Sequence, residues 1–143
     1  MFFGQFQHRL NQKNQLTVPV RFRQLLGDQG KLNLVHIVEG RLFIYTQEET
    51  ESIYAELRRK LGPAGHDQLD AITSRFVPTD IDSQGRIVIP KHLKEAVGIE
   101  ADVVVVGNGR RITIWPLAAW QKFDANLDES RRQSTQENMD VFL

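Results

Sequence analysis

The sequence predicts an α+β fold built twice over, and three observations carry that prediction. Residues 10–27, LNQKNQLTVPVRFRQLLG, align without a gap on residues 81–98, IDSQGRIVIPKHLKEAVG, at a constant offset of 71. Leu10 falls on Ile81, Leu16 on Ile87, Val18 on Ile89, Pro19 on Pro90, Phe22 on Leu93 and Gly27 on Gly98, which marks an internal duplication. Short β-branched runs alternate with helix start and stop signals in both copies. The chain has 143 residues, so each half lies near the lower limit for folding alone and the halves are expected to share one core.

In the first copy a strand meets a turn at Asn11–Asn14 and a short run to Val18. Pro19 sits where a helix begins, Phe22, Leu25 and Leu26 share a face, and Gly27 stands just past the end. Leu32–Val38 and Arg41–Tyr45 then read as a hairpin turning at Glu39-Gly40. Thr46 and Glu49 form a capping box for a helix to about Leu61, with Ile53, Tyr54, Leu57 and Leu61 on one face. Gly62-Pro63 stops it, Arg58-Arg59-Lys60 reads as its polar face, and a shorter helix covers Asp67 to Ser74.

The second copy repeats the order. A turn at Asp82-Ser83-Gln84-Gly85 leads into Arg86-Ile87-Val88-Ile89, and Pro90 opens a helix with Leu93, Ala96 and Val97 on one face and Gly98 past its end. Val103–Val106 is expected to turn through Gly107-Asn108-Gly109 into Ile112–Trp115. Four consecutive valines predict a strand buried on both faces. Pro116 opens a last helix carrying Leu117, Trp120 and Leu127. The divisions are a first repeat over 1–75, a second over 76–127, and a polar, mobile tail over 128–143. The tail ends in Met139–Leu143, apolar enough to dock on a surface the sequence does not identify.

Composition narrows the function. There is no cysteine, which removes disulfides, thiolate zinc sites and thiol nucleophiles. No apolar run approaches the ~20 residues needed to span a bilayer, and the opening MFFGQFQHR lacks the apolar core and cleavage site of a signal peptide, so a soluble intracellular protein is expected. Net charge is zero but unevenly spread. Residues 1–27 carry Arg9, Lys13, Arg21 and Arg23 and no acid, while beyond Asp124 the acids Asp128, Glu129, Glu137 and Asp140 face only Arg131 and Arg132. A basic head fits an anionic partner at that end, and ordinary surface charge is the plain alternative.

The two turns differ where chemistry would sit. In the second, Asp82 accepts backbone N–H groups, Gly85 allows a positive φ, and Arg86 leaves the turn with a fork of five donors suited to phosphate or a guanine edge. Arg86 is therefore either an anion contact or half of a structural pair with Asp82. In the first, Asn11, Asn14 and Gln15 replace Asp82, Gly85 and Arg86, which keeps the turn and strips its charge.

The pattern IDSQGRIVIP, its echo LNQKNQLTVP, the opening MFFGQFQH and the ITIW hairpin resemble the MraZ family of bacterial transcriptional regulators over roughly residues 1–125. That resemblance implies an AbrB-like swapped-hairpin fold, in which two units interleave into a small β-barrel with flanking helices. It implies a cytoplasmic, nucleoid-associated, homo-oligomeric ring that needs no cofactor and binds promoter direct repeats upstream of the division and cell-wall gene cluster. Carried onto this chain, the DNA-binding candidates are Arg9, Lys13, Gln15, Arg21 and Arg86, and the turn-structural ones are Asn11, Asn14, Asp82 and Gly85.

Two rivals come from other classes. An enzyme would use Asp80 and Asp82 as a metal pair with His36, His66 or His92, but no two histidines have metal-motif spacing and no phosphate loop or nucleophile elbow is present. An oligomeric protein-interaction ring would have lost operator binding because its first turn lacks the Asp and the Arg.

Overall fold

The computed structural model describes residues 1–26 and 30–143, so Gly27, expected to end the first short helix, lies outside the described residues. In the first repeat the strands are β1 (Phe2–Arg9), β2 (Gln15–Thr17), β3 (Lys31–Val35) and β4 (Leu42–Thr46), with helix α1 (Val20–Leu26) between β2 and β3. Helices α2 (Gln47–Leu61) and α3 (His66–Thr73) follow. The second repeat supplies β5 (Val77–Asp80), β6 (Arg86–Val88), α4 (Lys91–Val97), β7 (Asp102–Gly109) and β8 (Ile112–Pro116), then α5 (Leu117–Glu137) and α6 (Met139–Phe142).

Strand pairing crosses between the repeats. β1 of the first pairs antiparallel with β7 of the second, and β5 of the second pairs with β3 of the first. The six-stranded order β1-β7-β8-β4-β3-β5 reads the same from either end once equivalent strands are exchanged. This is a swapped-hairpin α+β fold. β2 and β6 form a separate two-stranded ribbon in which Leu16 lies opposite its own repeat equivalent, Ile87. The flanking pairs, Gln15 opposite Val88 and Thr17 opposite Arg86, exchange under the repeat offset, so a pseudo-twofold axis passes through the Leu16–Ile87 pair. Bonds from the Val18 N–H to the Gly85 carbonyl and from the Ile89 N–H to the Asn14 carbonyl, both 2.9 Å, obey the same symmetry.

Neither half could bury its apolar face without the other. Leu16, Val18, Phe22, Leu32, Leu34 and Leu42 share one core with Ile87, Ile89, Leu93, Val103, Ile112 and Ile114. Phe22 stands edge-on to Phe2 and Phe6, with ring centroids 5.5 and 5.2 Å away. Val103–Val106 are buried on both faces, as the run predicts, with Val103 and Val105 in that core. Val104 and Val106 meet Trp115, Trp120 and Phe123 beneath α5. On the matching outer face of the first repeat, buried Asn33 instead donates to Gln47 and Thr50 of α2. Arg41 and Arg111 lie over rings of the opposite hairpin, 4.6 Å from the Trp115 centroid and 4.4 Å from that of Phe43.

Five expectations are corrected. The sheet does not close into a barrel: after β1 and β5 the chain bends at Leu10 and Ile81 into the β2–β6 ribbon, whose Leu16 and Ile87 join the common core. Pro90 and Pro116 precede α4 and α5 rather than opening them, Pro90 at φ −56° and ψ 144° with its carbonyl accepting from the Leu93 and Lys94 N–H groups, and Pro116 at φ −55° and ψ 138° as the last residue of β8. β3 stops at Val35 opposite Phe43, so residues 36–41 are connection. Gly107-Asn108-Gly109 is strand, paired with Phe2–Gly4, and the Asn108 N–H bonds to the Arg111 carbonyl around the Gly109-Arg110 turn. Gly107 is required there because a Cβ would lie 2.5 Å from the Phe2 carbonyl carbon. Finally, residues 128–137 continue α5 as helix, with Arg131 paired to Asp124 and Asp128 and Arg132 to Glu129.

Other local signals hold. Of the capping box the Thr46 half forms, with the Glu49 N–H donating to Thr46 Oγ1 at 3.1 Å, while the Glu49 carboxylate meets Arg110 at 3.7 Å instead. Gly62 ends α2, and the Gly98 N–H bonds to the Lys94 and Glu95 carbonyls after α4. Among the described residues no helix is long and apolar enough to cross a membrane.

Ile89 has no exposed surface and sits beside the pseudo-twofold. Ile89→Ala should cost roughly 2–5 kcal/mol. Denaturant unfolding at fixed protein concentration should show a lower midpoint with an unchanged slope, since loss of packing does not alter the area exposed.

Candidate nucleic-acid interface

The β2–β6 ribbon brings the two turns together. Leu16 and Ile87 point inward, so alternation turns Gln15, Thr17, Arg86 and Val88 to the outer side. Turn one (Asn11–Gln15) and turn two (Asp82–Arg86) flank this face as pseudo-symmetric copies.

Their backbones match bond for bond. Asn11 Oδ1 accepts the Lys13 and Gln15 N–H groups at 2.9 Å, and Asp82 Oδ1 accepts those of Gln84 and Arg86 at the same distance. The Asn14 N–H bonds to the Asn11 carbonyl and the Gly85 N–H to the Asp82 carbonyl, both at 3.0 Å. Asn14 has φ 58° and Gly85 φ 78°, a left-handed position where Asn is the best tolerated replacement for Gly.

Side chains keep the geometry and change the chemistry. In turn two Arg86 Nε donates to Asp82 Oδ2 at 3.0 Å, forming an ion pair. In turn one Asn11 Nδ2 donates to Gln15 Oε1 at 2.8 Å, an uncharged bond in the same place with its direction reversed. Of the two alternatives read from the sequence, the pair is the one observed: Asp82 orients Arg86 through one donor, and four guanidinium N–H donors remain. Gln15 keeps its amide donors.

A cation from each short helix braces the turn of the other repeat. Lys94 Nζ of α4 donates to Asn14 Oδ1 at 3.0 Å. Arg23 of α1 packs its guanidinium against Gly85, where a Cβ would collide with it. Sequence reading passed over Lys94 and left Arg23 as general positive charge. The signal was available, since Arg23 and Lys94 are repeat equivalents and both copies keep a cation there.

The remaining candidates divide by pairing. Arg9 meets Asp102 at 3.3 Å across the β1–β7 ladder. Among the described residues, Lys13 at the first turn and Arg21 on α1 are exposed with no carboxylate at ion-pair distance. A polar groove of about 580 Å³ beside turn one is lined by Arg9, Asn11, Gln12, Asn14, Lys94 and Glu100. Among the described residues no three His, Asp or Glu side chains converge as a metal site.

The Asp82 carboxyl is held below the usual carboxylate range, chiefly by the Arg86 backbone N–H, with the Arg86 side chain and the Gln84 N–H adding to it and desolvation opposing. A depressed folded-state value contributes stability that is full above the unfolded-chain value near ~4 and disappears as the pH falls through the lower folded value. Asn11 shows that an amide keeps the turn. Asp82→Asn should therefore fold, melt below the wild type at neutral pH, and converge with it as the pH drops below about 4 in a series of thermal melts.

Comparison with known proteins agrees with this duplicated geometry. The pattern of the family described as "MraZ protein, putative antitoxin-like" matches residues 1–66 and again residues 77–142. A protein named transcriptional regulator MraZ from Desulforamulus reducens is 33% identical over 147 residues, 99% of each chain. One from Thermoanaerobacter sp. strain X514 is 36% identical over 134 residues, 91% of each chain. One from Heliobacterium modesticaldum is 32% identical over 149 residues, the whole of both chains. The family pattern falls once on each of the two repeats that the swapped strands bind together, and the chain belongs to the MraZ family.

Proposed function

We propose that this chain is a DNA-binding transcriptional regulator, not an enzyme, that works as a homo-oligomeric ring in the cytoplasm and at the nucleoid. Its target is the set of short direct repeats in the promoter of the division and cell-wall gene cluster. Support comes from the name that its full-length relatives carry and from the ribbon, which offers both turns to one partner.

The observation that carries the reading is the ribbon's outer face. Arg86 offers an oriented guanidinium there, Lys13 adds an exposed charge in the flanking first turn, and Arg21 adds another on α1. Lysine point charges suit phosphates, and a fixed guanidinium suits a phosphate or a guanine edge. Arg9, held by Asp102, contributes less free charge. One protomer supplies few cations, so affinity depends on repetition: a ring presents the same turns many times, and matched spacing converts weak contacts into useful avidity.

A second reading, a protein-interaction ring without operator binding, is favoured by one observation. In each turn the first and fifth positions satisfy each other without net charge, through the Asn11–Gln15 amide pair and the Arg86–Asp82 ion pair, which leaves Lys13 as the one unpaired charge of the two turns among the described residues. Salt dependence separates the two readings, because each phosphate contact contributes about 0.9 to the slope of log affinity against log salt.

Gln15→Arg should tighten DNA association and steepen its salt dependence by about one unit per subunit engaged. Lys13→Ala should weaken it on all sequences, and more than Arg9→Ala does. Fluorescence anisotropy over a salt series reads both. If DNA association of the wild type shows no salt dependence, and Gln15→Arg and Lys13→Ala are both silent, the turns are not the contact and the interaction ring is preferred.

A further inference from the structure

α2 and α3 leave an apolar groove between them. Glu51, Ile53, Tyr54, Leu57, Thr73 and Phe76 line a mainly apolar cleft of about 290 Å³, and Tyr54 is substantially exposed. A second cleft that shares Tyr54 carries the groove toward the end of α2, where Arg58 and Arg59 line it together with Asp70 of α3. Arg58, Arg59 and Lys60 are exposed and have no ion-pair partner among the described residues.

The chain also carries a segment shaped for such a groove. Every residue from Asp128 to Leu143 is exposed, including Phe142 at 70% and Val141 at 77%. Met139, Phe142 and Leu143 fall at i, i+3 and i+4, forming one apolar face. Glu137 and Asp140 beside them have no ion-pair partner among the described residues. The apolar tip thus complements the apolar groove, and its two unpaired acids suit the end of α2, where Arg58, Arg59 and Lys60 outnumber Asp70.

The tip, exposed throughout, is not seated in its own groove. α5 is rooted on Val104 and Val106 of the second repeat, has 21 residues without Gly or Pro, and so projects as a rod of about 30 Å. From the homo-oligomeric reading above, we infer that the α6 tip of one copy docks in the α2–α3 groove of a second copy. The contact joins two different patches of one protomer, so it repeats head to tail and forms a ring where the rotation closes.

Full-length variants measured by light scattering with circular dichroism test this. Phe142→Glu and Leu57→Glu should each keep the helical spectrum and fall from the wild-type assembly to monomers. Mixed, they should recover a dimer, because one retains its groove and the other its tip. The chain has no cysteine, so an Ile53→Cys/Phe142→Cys double variant adds a clean readout: oxidation should give a ladder of covalent oligomers in denaturing gels. A compact cross-linked monomer would overturn the inference in favour of docking within one chain. A wild-type-sized Phe142→Glu assembly would overturn it while leaving the homo-oligomer reading standing. A monomeric wild type would overturn both.

Discussion

The antiparallel pairing of Leu16 with Ile87 is the contact on which the rest of the molecule depends. Two equivalent residues can face each other across a ladder only if an axis runs between them, and that axis then dictates where every other element goes. β1 is carried to β7 and β5 to β3, so each repeat completes its sheet with the other's strand. The core is shared because neither ribbon strand has a partner within its own repeat. Three-residue strands gain little alone; their worth here comes from the apolar side chains the pairing brings together.

The same axis explains why the two copies could diverge without losing shape. A turn needs an acceptor at its first position and a tolerated positive φ at its fourth, and Asn11 with Asn14 meets both demands as Asp82 with Gly85 does. The fifth position is then free to change from a cation to an amide, because the bond back to the first position persists with its donor and acceptor exchanged. The outer faces have diverged similarly, one covered through an aromatic cluster and the other through an asparagine network. Within the turns, divergence is confined to side chains that leave the backbone unchanged.

Elements written in local chemistry were legible in the sequence. The turns, the Thr46 cap, the short helices and the doubly buried valines depend on neighbours within a few residues. Pairing was less so: the duplication predicted a shared core and the resemblance implied interleaved units, but neither said that β1 and β5 exchange, because register between strands roughly 100 (β1 and β7) or 45 (β5 and β3) residues apart leaves no local mark. Gly107 reads as a turn residue, and only the Phe2 backbone lying against it shows why a strand needs glycine there. The polar tail reads as unstructured because composition hides the spacing of Asp124, Asp128 and Arg131 along a helix face. At the site, the turn residues were found from their repeat. Lys94 escaped because its partner, Asn14, lies in the other copy.

Swapped pairing makes the two turns a single surface, and we propose that this surface meets DNA. Amide hydrogen exchange with and without promoter DNA measures that directly, since it reads each turn separately in the intact protein. Slower exchange in both segments, residues 11–15 and 82–86, appearing together on adding DNA, is the predicted result. DNA that slows exchange elsewhere and leaves both turns unchanged would contradict it.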